Sequence, residues 1–155
     1  MLRRVTSVLP PETDRIVMSW EKRPREGVIK NVVSPADYRD WRARNTVFEN
    51  MAAYAGTSVN LTGDGEPIVV PGAAVGWSFF DILSVRPELG RMFQPDDEVV
   101  GKHRIVVMGH ELWQTRYGGQ REIIGRRVWH NGDAWEAIGV VPASFQIVTD
   151  VDLWV

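Results

Sequence analysis

The 155-residue sequence contains no cysteine, which excludes a disulfide framework, a thiolate metal site and a cysteine nucleophile. The absence leaves the compartment open, because a domain with a large enough core does without disulfides on either side of a membrane. Nowhere does the chain approach the roughly 20 consecutive apolar residues that cross a bilayer; its longest apolar runs are strand-length. An excess of positive charge is missing too. The net charge of -2, with both signs interspersed, gives no basic field to neutralise phosphates, so nucleic acid is not an expected partner. Internal repeats and low-complexity tracts are also absent, which removes solenoid and linker architectures. The opening MLRRVTSVLPPE has a basic pair but only a short, broken apolar stretch. It does not fit a signal peptide, so work outside the cytoplasm would need delivery by sequence beyond these residues.

What is present suits one globular domain. Hydrophobic residues at 44% and charged residues at 25% are ordinary values that argue against disorder, and a chain of this length can bury about 70% of its unfolded surface. Only residues 1–13 read as loosely structured.

Local patterns predict the elements. Residues 14–21 hold Ile16, Val17, Met18 and Trp20, a buried strand ending in a charged loop, and 28–33 are extended. Ser34 is placed to cap a helix, with Pro35 at its first position and Asp37 beside the positive end of its dipole. Tyr38 and Trp41 then share one face, expected to be buried, while Arg39, Asp40, Arg42 and Arg44 are expected to face solvent. Thr46 followed by Glu49 has capping-box spacing, which predicts a second short helix burying Phe48, Met51 and Ala52. Residues 58–75 read as a hairpin turning at Gly63-Asp64-Gly65, and 77–83 as a helix of about two turns that stops before Arg86-Pro87. Residues 95–102 form a polar loop. Ile105 to Met108 is a compact strand, and His110 to Tyr117 a helix that buries Leu112, Trp113 and Tyr117 and ends at Gly118-Gly119. Asn131-Gly132 is a two-residue hairpin turn between strands at 128–130 and 134–141. The order is mixed rather than alternating, which makes the fold class α+β.

The chemistry-bearing residues form no recognisable constellation. His103, His110 and His130 fall in a loop, at a helix start and beside a turn, without metal-ligand spacing. Asp96, Asp97 and Glu98 could be imagined as a cation site, but the spacing of a calcium loop is missing and a solvated acidic loop is the simpler reading. No pair of carboxylates is singled out as an acid and base, no serine lies in a nucleophile elbow, and the glycines of LTGDGEP and YGGQREIIG lack phosphate-loop followers. No catalytic, cofactor-binding or metal-binding residue is therefore assigned, and no cofactor is expected.

Tryptophan is the one residue type in excess, with seven copies. Exposed on one face, they would suit a free-standing carbohydrate- or peptide-binding module. Packing is the simpler expectation. Trp41 and Trp113 lie at core-facing helical spacings, Trp20 and Trp154 end apolar runs, Trp129 and Trp135 are placed to meet across the hairpin, and Trp77 is the least settled. A hydrolase would require a pocket with convergent carboxylates that sequence does not display.

The segments DRIVMSWEKRPREG, SPADYRDWRARNTVFENMAAYAG, VNLTGDGEPIVVPGAAV, FFDILSVRPELGRMF, RIVVMGHELWQTRYGG, IIGRRVWHNGDAWEAIGVVPASF and DVDLWV occur in this order. Their pattern resembles the MacB-like periplasmic core domain of bacterial ABC transporter permeases, in particular the acidobacterial duplicated-permease type, over residues 14–155. The resemblance implies a porter-like part with strands and short helices, an inserted smaller hairpin-containing subdomain, and further chain completing the porter-like part, so that the domain is expected to be incomplete at its C-terminus with an exposed strand edge. It implies a non-catalytic domain on the periplasmic side of the inner membrane, coupling cytoplasmic ATP hydrolysis to conformational change in export or efflux. The partners it implies are a second permease half or copy, a separate ATP-binding subunit and a periplasmic adaptor protein.

Overall fold

Ser34 starts the best-defined element of the N-terminal region in the manner its sequence dictates. In the computed structural model, which describes residues 3–4, 15–19, 21–23, 28–31, 33–145 and 151–155, helix α1 spans Pro35–Arg44. The Asp37 N–H donates to Ser34 Oγ at 3.1 Å, and the Ser34 hydroxyl donates to Asp37 Oδ2 at 2.6 Å. One orphan donor of the first turn is thereby satisfied and a carboxylate is fixed at the positive end of the dipole.

The chain divides into two compact units, residues 1–51 and 52–155. In the first, strand β1 (Arg3–Arg4) pairs with β2 (Val17–Met18), and β3 (Glu21–Arg23) pairs with β4 (Val28–Asn31), both antiparallel. Each pair is a two-stranded sheet among the described residues. Two expectations fail here. Helix α1 buries none of its residues: Tyr38 is half-buried, its hydroxyl donating to Met51 O at 3.1 Å, and Trp41 is 39% exposed. The buried strand expected at 14–21 is likewise only Val17–Met18 in extent among the described residues, with Met18 exposed. Trp20 and residues 1–13 apart from β1 lie outside the described residues.

No second helix starts at Thr46. Asn45 supplies the local order instead, its Oδ1 accepting from Val47 N–H at 3.0 Å and Phe48 N–H at 2.8 Å while its amide donates to Phe48 O. This Asx-type turn satisfies the backbone donors that a helix would otherwise have used. Phe48 is left exposed and Met51 and Ala52 half-buried rather than in a core.

The second unit is built on one sheet. The expected hairpin is β5 (Tyr54–Thr62) with β6 (Ile68–Val75), in register from Tyr54↔Val75 to Leu61↔Ile68. Helix α2 (Phe79–Ile82) is a single turn rather than two, and β7 (Leu89–Gly90) follows it. Strand β8 (Ile105–Met108) and helix α3 (His110–Tyr117) fall at their expected positions, α3 ending at left-handed Gly118 with φ 63°. Strands β9 (Arg127–His130) and β10 (Asp133–Val140) flank Asn131-Gly132, whose φ values of 51° and 86° match the paired left-handed conformation of a tight hairpin turn.

The last strand, β11 (Leu153–Trp154), runs parallel to β6 and antiparallel to β8. The pairings therefore run β10–β8–β11–β6–β5–β9, and β9 pairs back onto β10, closing a ring of six strands with β7 attached outside on β10. Closure leaves those six strands without the long free edge that invites mispairing. The backbone around β11 is tied on both sides: Asp152 N–H donates to Pro71 O, Gly109 N–H to Asp152 O, Val155 N–H to Ala73 O and Val75 N–H to Val155 O, all at 2.8–2.9 Å.

Apolar packing lies on both faces of the sheet. Val59, Leu61, Val70, Val106, Met108, Val128 and Leu153 pack with Leu112, Trp113 and Tyr117 of α3. A second, aromatic cluster is centred on fully buried Phe80, whose ring meets those of Phe79, Phe93, Phe145 and Trp154 at centroid distances of 5.3–5.8 Å. Strand β8 is buried at all four positions, which is why it reads as an unbroken apolar run rather than an alternating one. Each such side chain contributes about 1.5–3 kcal/mol by leaving water.

Candidate functional site

The polar residues of the second unit hold the framework together. Arg91 follows β7 and reaches Asp97 with both terminal nitrogens, Nη1 to Oδ2 at 2.6 Å and Nη2 to Oδ1 at 3.0 Å. Asp97 Oδ2 also accepts from Gln94 N–H at 2.8 Å. Burial alone pushes the Asp97 carboxyl up, but the Arg91 and Gln94 hydrogen bonds outweigh it and hold the group below the usual carboxylate range. Its neighbours have other attachments. Glu98 Oε1 accepts from Trp77 N–H at 3.2 Å, and Asp96 lies 4.0 Å from Lys102. The three consecutive acids thus point to three separate structural partners. Among the described residues, no group of three or more histidine and acidic side chains is arranged to hold a metal ion.

The three histidines are dispersed. His103 is exposed and its Nδ1 accepts from Gly101 N–H at 3.2 Å. His110, the first residue of α3, places Nδ1 2.7 Å from Glu88 Oε2 and its ring edge-on to Trp113. His130, at the end of β9, is buried, with Trp135 packed against its ring at 4.8 Å; burial holds its pKa below the ordinary histidine value, with the Asp133 charge opposing.

The tryptophans divide in a way the spacings did not give. Trp113 and Trp154 are buried, Trp77 and Trp135 half-buried, and Trp41 in the first unit and Trp129 in the second are exposed. The expected Trp129–Trp135 pair does not form. Trp129 lies opposite Ala134 and Trp135 opposite Val128, so the two indoles stand on opposite faces of the hairpin. Trp129 instead covers the turn of the β5–β6 hairpin, lying where a side chain at Gly63 would have to be. Neither unit presents more than one exposed tryptophan among the described residues.

Sequence reasoning missed the Arg91–Asp97 clamp. Its available signal was Gln94-Pro95-Asp96-Asp97, a proline-initiated turn whose third residue is an acid able to reach back. It also missed the Asn131 side chain, whose Oδ1 accepts from Asn60 N–H at 3.0 Å and ties the hairpin turn to β5.

Fold and side chains together define an α+β packing domain whose polar groups brace its frame. The chain belongs to the MacB-like periplasmic core domain family, whose model matches residues 3–155; this is a family of transporter permease domains. Among solved structures it is similar to the extracellular domain of the noncanonic ABC-type transporter YknZ from Gram-positive bacteria, at 19% identity and TM-score 0.64, over 79% of this chain and 61% of that one. It is also similar to the periplasmic region of MacB from Actinobacillus actinomycetemcomitans, at 17% identity and TM-score 0.65, over 84% of this chain and 57% of that one. The chain thus spans about three-fifths of the length of those domains. No curated protein matches it. No helix among the described residues is long and apolar enough to cross a membrane.

Proposed function

We propose that this chain acts as a non-catalytic extracytoplasmic domain of an ABC permease, coupling ATP hydrolysis on a separate cytoplasmic subunit to conformational change in export or efflux. The observation that carries this reading is the contrast between the units. The second is a ring-closed sheet packed on both faces, the kind of rigid body that moves as a whole. The first holds a well-capped helix that buries none of its own residues, together with exposed Met18, Trp41, Val47 and Phe48. Apolar side chains in such number on a small unit suit burial against other protein. In this reading that protein is the rest of the porter-like part, a second permease half or copy, and a periplasmic adaptor.

Absence of cysteine from the chain makes the test clean, since an introduced cysteine is unique within it. Spin labels at Val100→Cys, a site 91% exposed, in the complete permease reconstituted with its ATPase should give a distance between copies that shifts when ATP binds and resets after hydrolysis. An unchanged distance in a complex that hydrolyses ATP would remove the coupling reading. The carbohydrate- or peptide-binding alternative needs several accessible tryptophans on one face, and the burial of Trp113 and Trp154 works against it.

A further inference from the structure

His130 ends β9 with only 7% of its surface exposed, and its neighbours fix its protonation. Asn131 Oδ1 accepts from Asn60 N–H, so the group of the same amide that faces His130 Nε2, at 3.0 Å, is the NH2. An amide NH2 only donates, so Nε2 must be the bare nitrogen of a neutral ring with its proton on Nδ1. Nδ1 is buried and finds no partner among the described residues.

This histidine stands on a narrow seam of the ring. Strands β5 and β9 meet through two residue pairs, Leu61↔His130 and Thr62↔Trp129, and the seam is extended by Asn131 N–H donating to Asn60 O at 2.9 Å and by the Asn60–Asn131 side-chain bond. We propose that His130 and Asn131 form a proton-sensitive clasp on the β5–β9 seam. Protonation at Nε2 sets N–H against N–H, turns the Asn131 amide away, releases Asn60 N–H and loosens the ring at that point.

The surrounding charges do not prevent this. Asp133 on β10, opposite His130 in register, favours the charged ring, but it is itself paired with Arg104 at 3.1 Å. His103 lies against Trp135 at 6.5 Å, and β5 contributes Asn60, Leu61 and Thr62, none of which titrates. Because the folded ring binds a proton less readily than an exposed histidine, the unfolded or opened seam takes up more protons in the window below the ordinary value of about 6.5. The seam is therefore at full strength above that value and weakens as pH falls through the window.

Amide exchange of the full chain, expressed as protection so that the intrinsic pH dependence cancels, tests the clasp independently of the transport reading. Between about pH 7.5 and about pH 5, protection at Asn60 and Asn131 should fall at least threefold relative to Val106 and Val107. In His130→Gln, whose side-chain oxygen can take the Asn131 donor without titrating, it should stay level. An equal fall in the variant, or a level wild type, overturns the proposal. Should the variant not fold, imidazole 15N shifts of the wild type decide instead: a proton on Nε2 at about pH 7.5 overturns the clasp, and a bare Nε2 that gains its proton as the Asn60 amide loses protection supports it.

Discussion

Asp97 shows how a residue that looks reactive in the sequence becomes a brace. Its carboxylate is 12% exposed and takes both arms of Arg91, which is 42% exposed. Asp97→Asn should cost about 1–2 kcal/mol in denaturant unfolding, nearer the lower figure because water screens the arginine. Asp97 titrates below the usual carboxylate range when folded, so its contribution is present above the unfolded pKa near 3.9 and disappears as pH falls through the lower folded value. The acid limb of the stability curve should therefore flatten in Asp97→Asn. A second residue, Gly139, follows the β-bulge at Ile138, where the register of β10 on β8 shifts, and an added Cβ would stand 2.1 Å from Arg91 O. Gly139→Ala should destabilise by about 1–3 kcal/mol, measured in the same titration. Neither role was legible in the sequence, because a glycine within an apolar run and an acid within an acidic run carry no record of the backbone that will approach them.

Elements were more legible than residues. Strand β8, helix α3 and both hairpins were readable because their signals are local: an apolar run, a helical face closed by glycine, and the Asn131-Gly132 turn. The helix expected at Thr46 failed because Asn45, one residue earlier, offers the same backbone donors a nearer acceptor. The buried face expected of α1 failed for a different reason: periodicity names the side that prefers to leave water, not what lies there to receive it. With no buried residue of its own, α1 depends on its cap. Ser34→Ala should remove about 1 kcal/mol of local helix stability, seen as faster amide exchange from Asp37 through Arg42, while the amides of β8 keep their protection.

At the scale of the whole molecule, ring closure was invisible to local reading. The α+β class followed from the order of elements, but the pairing of β11 with both β6 and β8 joins residues far apart in the chain. Among the described residues the second unit closes its sheet with its own strands. Removing residues 151–155 deletes β11 and buried Trp154, opening the ring between β6 and β8. The shortened chain should lose the cooperative unfolding transition of the second unit and bind a hydrophobic dye at neutral pH; a retained sharp transition would show that the ring is not needed.

The position of β11 also sets a timetable for synthesis. Strands β5 through β10 leave the ribosome before the segment that joins β6 to β8 has been made, so the two apolar strands with the largest claim on it wait with one edge open each. Closure comes only after residue 155 has reached the side of the membrane on which the domain folds, however much chain follows. Until then the incoming domain is a candidate for chaperones that hold unpaired strands, and a delay in the arrival of residues 151–155 would prolong that interval.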